Sequence, residues 1–219
     1  MEKQIISYKN FPEDLMSLSP QLINKLFFYS LFESRHFVCD GFYYSLEEFK
    51  KEILNLFKFK GKKKKHKEKR IINSFINGSI TNKILASSLK EKFQRVYSNK
   101  KINSHEIDCY LENEKLAIEI KRIFETSNFW DYIEGEITKY AEIKAEIRKV
   151  LIVFIMISKN RDETKILSKA TTGYRNLLSC LTSREIIPKN FEFYITFFSL
   201  DDDFYNFLDD LKKRISSII

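Results

Sequence analysis

Two carboxylates and an amine in one short stretch have the types and spacing for hydrolytic chemistry. Across residues 105–122 polar and apolar side chains alternate, with a polar cluster from Glu112 to Lys115 in the middle. That is the signature of a β-hairpin. A turn centred on Asn113-Glu114 sets Asp108 opposite Glu119 and Glu106 opposite Lys121, and a four-residue loop over 112–115 keeps the same register. One face then carries Glu106, Asp108, Tyr110, Ala117, Glu119 and Lys121, and the other Ile107, Cys109, Leu111, Leu116, Ile118 and Ile120. Opposed side chains on a sheet have Cβ atoms roughly 4.5–5.5 Å apart, so two facing carboxylates repel unless a cation lies between them. A hard divalent ion is the simplest such cation. Mg2+, with Mn2+ as its substitute, suits Asp108, Glu119 and the main-chain carbonyl of Ile120 while keeping several waters. An ion held there polarises a phosphodiester oxygen and activates water, while Lys121 on the same face orients that water or offsets developing negative charge. The expected chemistry is phosphodiester hydrolysis.

Asp108, then ten residues, then Glu119-Ile120-Lys121 on the second strand of a hairpin resembles the PD-(D/E)xK nuclease superfamily, and the resemblance extends over an α-ββ-α-β order from about residue 81 to 158. It implies a restriction-endonuclease-like core and a Mg2+-dependent deoxyribonuclease with Asp108 and Glu119 as metal ligands and Lys121 as the catalytic lysine. It also implies Glu91, on the helix before the hairpin, as an extra acidic ligand. Where many members have Pro before the Asp, this chain has Ile107; the chemistry requires only the carboxylate. In exonuclease-like branches of the superfamily the helix after the motif carries a Gln and a Tyr, and Glu136 and Tyr140 occupy similar positions. The plainer reading of that pair is a surface Glu beside a partly buried Tyr one helical turn away.

The elements that must position these residues follow from periodicity. Ser19-Pro20 is an N-cap followed by Pro at the first helical position, opening an apolar stripe through Ile23, Leu26, Phe27 and Leu31. Ser45 with Glu48 forms a capping box before Leu46, Phe49, Ile53 and Leu56. Asn77-Gly78 marks a turn, and Ile84, Leu85, Leu89, Phe93 and Val96 predict a third helix at roughly 81–98. Everything before residue 100 reads as helical. After the hairpin come a helix at about 129–148, a continuous apolar strand over 150–157, a helix at about 162–182, a strand at about 191–199 and a closing helix. A strand apolar on both faces must be covered on both sides, so the fold class is α/β, a three-layer sandwich around a central mixed β-sheet with a helical N-terminal elaboration. The expected division is a helical region 1–78 and a nuclease-like core 79–219.

Charge points to the partner. The net charge of +8 is concentrated in residues 61–105, which hold 13 basic against 2 acidic side chains. At their centre Lys62, Lys63, Lys64, Lys65, Lys67, Lys69 and Arg70 read as a solvated loop over 61–70 that displaces counterions from DNA. The bland reading of this run is a solubilising surface loop. A hydrophobic fraction of 43% excludes a mainly disordered chain, and the absence of any apolar run near 18 residues excludes a membrane span. The start, MEKQIISYKN, lacks an export signal, so a cytoplasmic location is expected. Cys39, Cys109 and Cys180 have no metal-ligand spacing and read as reduced thiols.

Other features have plain explanations. Asp201-Asp202-Asp203 precedes Phe204, Phe207, Leu208, Leu211 and Ile215 at helical spacing and reads as a helix start. His36 and His66 read as structural or surface residues, whereas His105 stands near the proposed site and could contact a phosphate. Phe129, Trp130 and Tyr132 have the chemistry to stack on bases, but packing at a helix start is the more frequent explanation. The hairpin itself has a bland reading, a half-buried ribbon with a solvated charged face and a Glu106–Lys121 ion pair. The expected function is a metal-dependent DNA nuclease, structure-specific or processing, such as a junction resolvase, acting as a homodimer where two strands are cut. The competing expectation is a non-catalytic nucleic-acid-binding protein of a mobile-element or defence system.

Overall fold

A computed structural model describes residues 6–7, 18–31, 36–39, 42–59, 63–123, 129–143, 146–156, 172, 179, 192–199 and 203–219. The chain divides into two compact units, Met1–Lys92 with Phe204–Ser216, and Phe93–Asp203 with Ser217–Ile219. The protein is α/β. Among the described residues no helix is long and apolar enough to cross a membrane.

The second unit is built on a five-stranded mixed sheet: β5 (Val96–Ile102), β6 (His105–Leu111), β7 (Leu116–Ile123), β8 (Lys149–Met156) and β9 (Glu192–Ser199), in that spatial order. β6 pairs antiparallel with both β5 and β7, while β7, β8 and β9 are parallel. Val150 to Ile155 of β8 are all buried, as a strand covered on both faces requires. Helix α5 (Phe129–Glu142) lays Ile133, Ile137 and Tyr140, spaced by one helical turn, over Ala117, Val150, Ile152 and Phe154. This is the face that also carries Glu119 and Lys121, which are in register with Ile152 and Phe154. The Glu119 and Lys121 part of the hairpin's charged face is therefore roofed by a helix, while Glu106 is exposed.

The first unit contains helices α1 (Pro20–Ser30), α2 (Leu46–Leu56), α3 (Lys64–Ile76) and α4 (Ser79–Leu89), with most of α6 (Phe204–Ile218). Ser19 caps α1 by accepting the Leu22 N–H, and Pro20 takes the first helical position. Thr81 Oγ1 of α4 donates to the Ser30 carbonyl at 2.9 Å, tying the end of α1 to α4. Phe27 stacks on Phe207, and Asn24 Oδ1 accepts the Phe204 N–H at 3.0 Å, so the start of α6 is capped from another helix. Asp201 and Asp202 lie outside the described residues, and Asp203 is exposed.

Several expectations need correction. The region before residue 100 is not wholly helical: β1 (Ile6–Ser7) pairs in parallel with β4 (Phe57–Lys58), and β2 (His36–Cys39) forms a hairpin with β3 (Phe42–Ser45). The cause is visible in Phe37-Val38-Cys39 and Phe42-Tyr43-Tyr44, aromatic and β-branched runs separated by Asp40-Gly41, a strong hairpin signal. The third helix stops at Leu89, and Val96 instead starts β5 by pairing with Leu111. The run expected as a loop is helical from Lys64 onward, since Lys and Glu are good helix formers, Lys64 and Glu68 pair at 3.6 Å, and Ile71, Ile72 and Phe75 anchor the far end. α5 ends at Glu142, short of the expected 148. Helix α4 and most of α6 go with the first unit, whereas the expected boundary at 78 assigns them to the core. The helix expected over 162–182 falls almost wholly outside the described residues.

Candidate active site

The site forms where β6 and β7 separate. Their ladder keeps the register of a turn centred on Asn113-Glu114, pairing Leu111 with Leu116, Tyr110 with Ala117 and Cys109 with Ile118, and there it ends. At the next position the Asp108 carboxylate takes the place of the ladder, and Oδ2 accepts the Ile120 N–H at 2.8 Å. An extended residue directs its N–H and C=O to the same side, so the Ile120 carbonyl faces the same gap as Asp108. Beyond this point β6 continues to pair with β5, with Glu106 opposite Lys101, and β7 continues with β8.

Glu119 is 1% exposed, an extreme degree of burial for a carboxylate. Its Oε1 accepts from the Tyr140 hydroxyl and from Lys139 Nζ at 2.6 Å, and its Oε2 lies 3.5 Å from Lys121 Nζ. Lys121 reaches Glu136 Oε1 at 2.5 Å, and Lys139 lies 3.3 Å from Glu136 Oε2. Lys139 also donates to the main-chain carbonyl of Glu106 at 2.7 Å. Glu119 and Glu136 thus share the two ammoniums, and the Asp108 charge acts on the same group.

Titration reflects that crowding. Burial, then the Asp108 charge and then that of Glu136 push the Glu119 carboxyl up to about 8, against the downward pull of Lys121 and Lys139. Burial works to lower the Lys121 ammonium, but Glu136, Glu119 and Asp108 outweigh it and hold it above the ordinary lysine range. The charged form of Lys121 is thus favoured. Burial and the neighbouring Glu119 raise the Tyr140 phenol well above its usual value, so it remains a hydrogen-bond donor.

The surroundings fit a divalent cation. Asp108, Glu119 and the Ile120 carbonyl are hard oxygen donors, and the repulsion that Asp108 and Glu136 exert on Glu119 is relieved by a proton on Glu119 or by a cation. Among the described residues no group of three or more His, Cys, Asp or Glu side chains is arranged to hold a metal.

The expected residues are distributed unevenly around this gap. Asp108, Glu119 and Lys121 come together, and Glu136 and Tyr140 join them as buried partners instead of as a surface Glu beside a half-buried Tyr. The expected Glu106–Lys121 ion pair does not form, because the ladder ends before reaching it; Lys121 turns to Glu119 and Glu136, and Glu106 contributes its carbonyl to Lys139. His105 is half-buried at the start of β6, opposite Ile102. Glu91 belongs to the first unit, where it is exposed and pairs with Lys212 at 2.9 Å. Lys63, Lys64, Lys65, Lys69 and Arg70 are exposed at the start of α3, Lys67 is half-buried there, and Lys62 lies outside the described residues, as do the side chains of Phe129, Trp130 and Tyr132. Lys139 was not anticipated, though a signal existed: Glu136 and Lys139 are three residues apart and flank the stripe of Ile133, Ile137 and Tyr140. No family model, curated protein or solved structure matches the chain.

Proposed function

We propose that the protein is a Mg2+-dependent nuclease of the PD-(D/E)xK type, with a restriction-endonuclease-like core, that hydrolyses phosphodiester bonds in DNA. The observation that carries the reading is the convergence of Asp108, Glu119 and Lys121 where the β6–β7 ladder opens. Asp108, Glu119 and the Ile120 carbonyl would hold the ion, which supplies Lewis-acid polarisation of a phosphoryl oxygen and of water. The protein's own groups prepare the rest. The Ile120 N–H orients Asp108, Tyr140 and Lys139 fix Glu119, and Lys121 presents a positive charge to the negative charge that builds on phosphorus oxygens.

DNA as substrate is supported by α3. Its first two turns, Lys64 to Arg70, carry five basic side chains and one Glu, while its last turns bury Ile71, Ile72 and Phe75. No side chain caps that helix start, and lysines there are repelled by the helix dipole, a disposition that phosphate relieves. Symmetric cutting of two strands would call for a homodimer, and junction or other processing substrates suit a chain without a base-reading motif. Incubation with linear, nicked, branched and single-stranded DNA, and with RNA, in Mg2+ or Mn2+ tests the reading. Wild type should cleave at least one DNA form, and Glu119→Ala and Lys121→Ala should each lower the rate by about 100-fold or more. Equal cleavage by wild type and Glu119→Ala would end it.

One observation favours a second reading, a nucleic-acid-binding protein without catalysis: Asp108 and Glu119 are already held by protein donors. Under that reading DNA binding persists when both are replaced by Ala, and the wild type takes up no Mn2+.

A further inference from the structure

We infer that the Lys139 ammonium fills a second cation seat beside the proposed metal position, so that each chain binds a single divalent ion. The inference rests on the metal reading above and extends it to the number of ions. Three oxygens from three elements surround the ammonium: the Glu106 carbonyl of β6 at 2.7 Å, Glu119 Oε1 of β7 at 2.6 Å and Glu136 Oε2 of α5 at 3.3 Å. A carbonyl and two carboxylates are the same kind of donor set as Asp108, Glu119 and the Ile120 carbonyl, and Glu119 belongs to both.

The ammonium does not satisfy this seat fully. Glu136 Oε2 is buried and accepts no hydrogen bond, receiving only the charge of Lys139 at 3.3 Å. The seat therefore contains an oxygen suited to a cation that binds from all sides, which three N–H donors with fixed directions do not do. With Lys139 in place, a second divalent ion would meet a fixed positive charge and find its donors occupied. Lys121 contacts the other oxygen of each carboxylate, Glu136 Oε1 at 2.5 Å and Glu119 Oε2 at 3.5 Å. Removing the Lys139 amine empties the seat and leaves Lys121 as the remaining counter-charge to both carboxylates, and a second divalent ion would supply the missing positive charge.

The test is the Mn2+ stoichiometry of the full chain, measured by titration calorimetry and by the loss of free Mn2+ signal in electron paramagnetic resonance. Wild type and Lys139→Arg should each bind one equivalent, Lys139→Ala two, and Lys139→Ala combined with Glu136→Gln one again. Lys139→Gln, which keeps donors but no charge, serves in place of Lys139→Ala if circular dichroism shows the latter unfolded, and should also bind two. Two equivalents in the wild type, or one in the folded neutral variant, would overturn the inference while leaving the metal reading intact. No binding by the wild type would overturn both.

Discussion

Glu119 meets like and unlike charges at once, and its proton is the group's means of balancing them. In the fold burial, Asp108 and Glu136 hold its carboxyl at about 8, against 4.5 for an ordinary glutamate. Below the ordinary value the group is protonated in both folded and unfolded chains, so the raised value costs nothing there. As pH rises through the window between the two values, the unfolded chain gives up the proton while the folded chain retains it. Stability of the metal-free protein should then fall, by at most about 1.4 kcal/mol per pH unit from this group, and level off above the window. Thermal melting in EDTA from pH 5 to 9 should show this decline in wild type and a flatter profile in Glu119→Gln, whose amide does not titrate. Parallel profiles for the two proteins would show that another group is responsible. Added Mg2+ should raise the melting temperature more at pH 8 than at pH 5, since only the ionised carboxylate is a good ligand.

At the level of elements, the gap between β6 and β7 depends on Asp108 serving as a backbone partner. Its carboxylate replaces a strand–strand hydrogen bond at Ile120, so the residue has a structural duty beside its proposed chemical one. Asp108→Ala should leave a partly buried N–H without its acceptor and lower stability by about 1–3 kcal/mol, whereas Asp108→Asn, which keeps an oxygen in place, should unfold close to wild type in urea. Both should fail to cleave. If the two variants are equally stable, the Ile120 N–H finds water instead. The hairpin register was legible because period-two alternation and a short polar turn leave one pairing that buries the apolar face. The roof over its charged face was not. How far α5 rotates about its axis is decided by packing against Ala117, Ile152 and Phe154, and that rotation alone decides whether Glu136, Lys139 and Tyr140 face solvent or Glu119. The β2–β3 hairpin was missed for a different reason: its arms of four residues are too short for periodicity to show, and only Asp40-Gly41 announces it. Helix α3 was hidden by its charge, because repulsion among lysines suggests a loop unless the anchoring Ile71, Ile72 and Phe75 are counted with it.

Across the whole molecule the two units have opposite relations to charge. The second carries the buried carboxylates, and the first exposes the lysines of α3. The division predicts that binding and cutting can be changed separately. Lys65, Lys69 and Arg70 are exposed, and neither the Lys64–Glu68 pair nor the Ile71, Ile72 and Phe75 anchor involves them. Replacing all three with Gln, a good helix former, should leave the helix and the melting temperature nearly unchanged. If these side chains neutralise phosphates, removing each charge should reduce the slope of log affinity against log salt by about 0.9 for duplex DNA, so the slope of the triple variant should be shallower by about 2–3. Binding of a labelled duplex, measured by anisotropy at several salt concentrations in EDTA, reads that slope without any cleavage. In Mg2+ and at saturating DNA the maximal rate should stay near that of wild type, because the buried network around Glu119 is untouched, and only the concentration needed for half-maximal rate should rise. An unchanged salt slope would mean that α3 is a solubilising surface and that the backbone is held elsewhere. A reduced slope with a collapsed maximal rate would mean instead that α3 also positions the scissile phosphate.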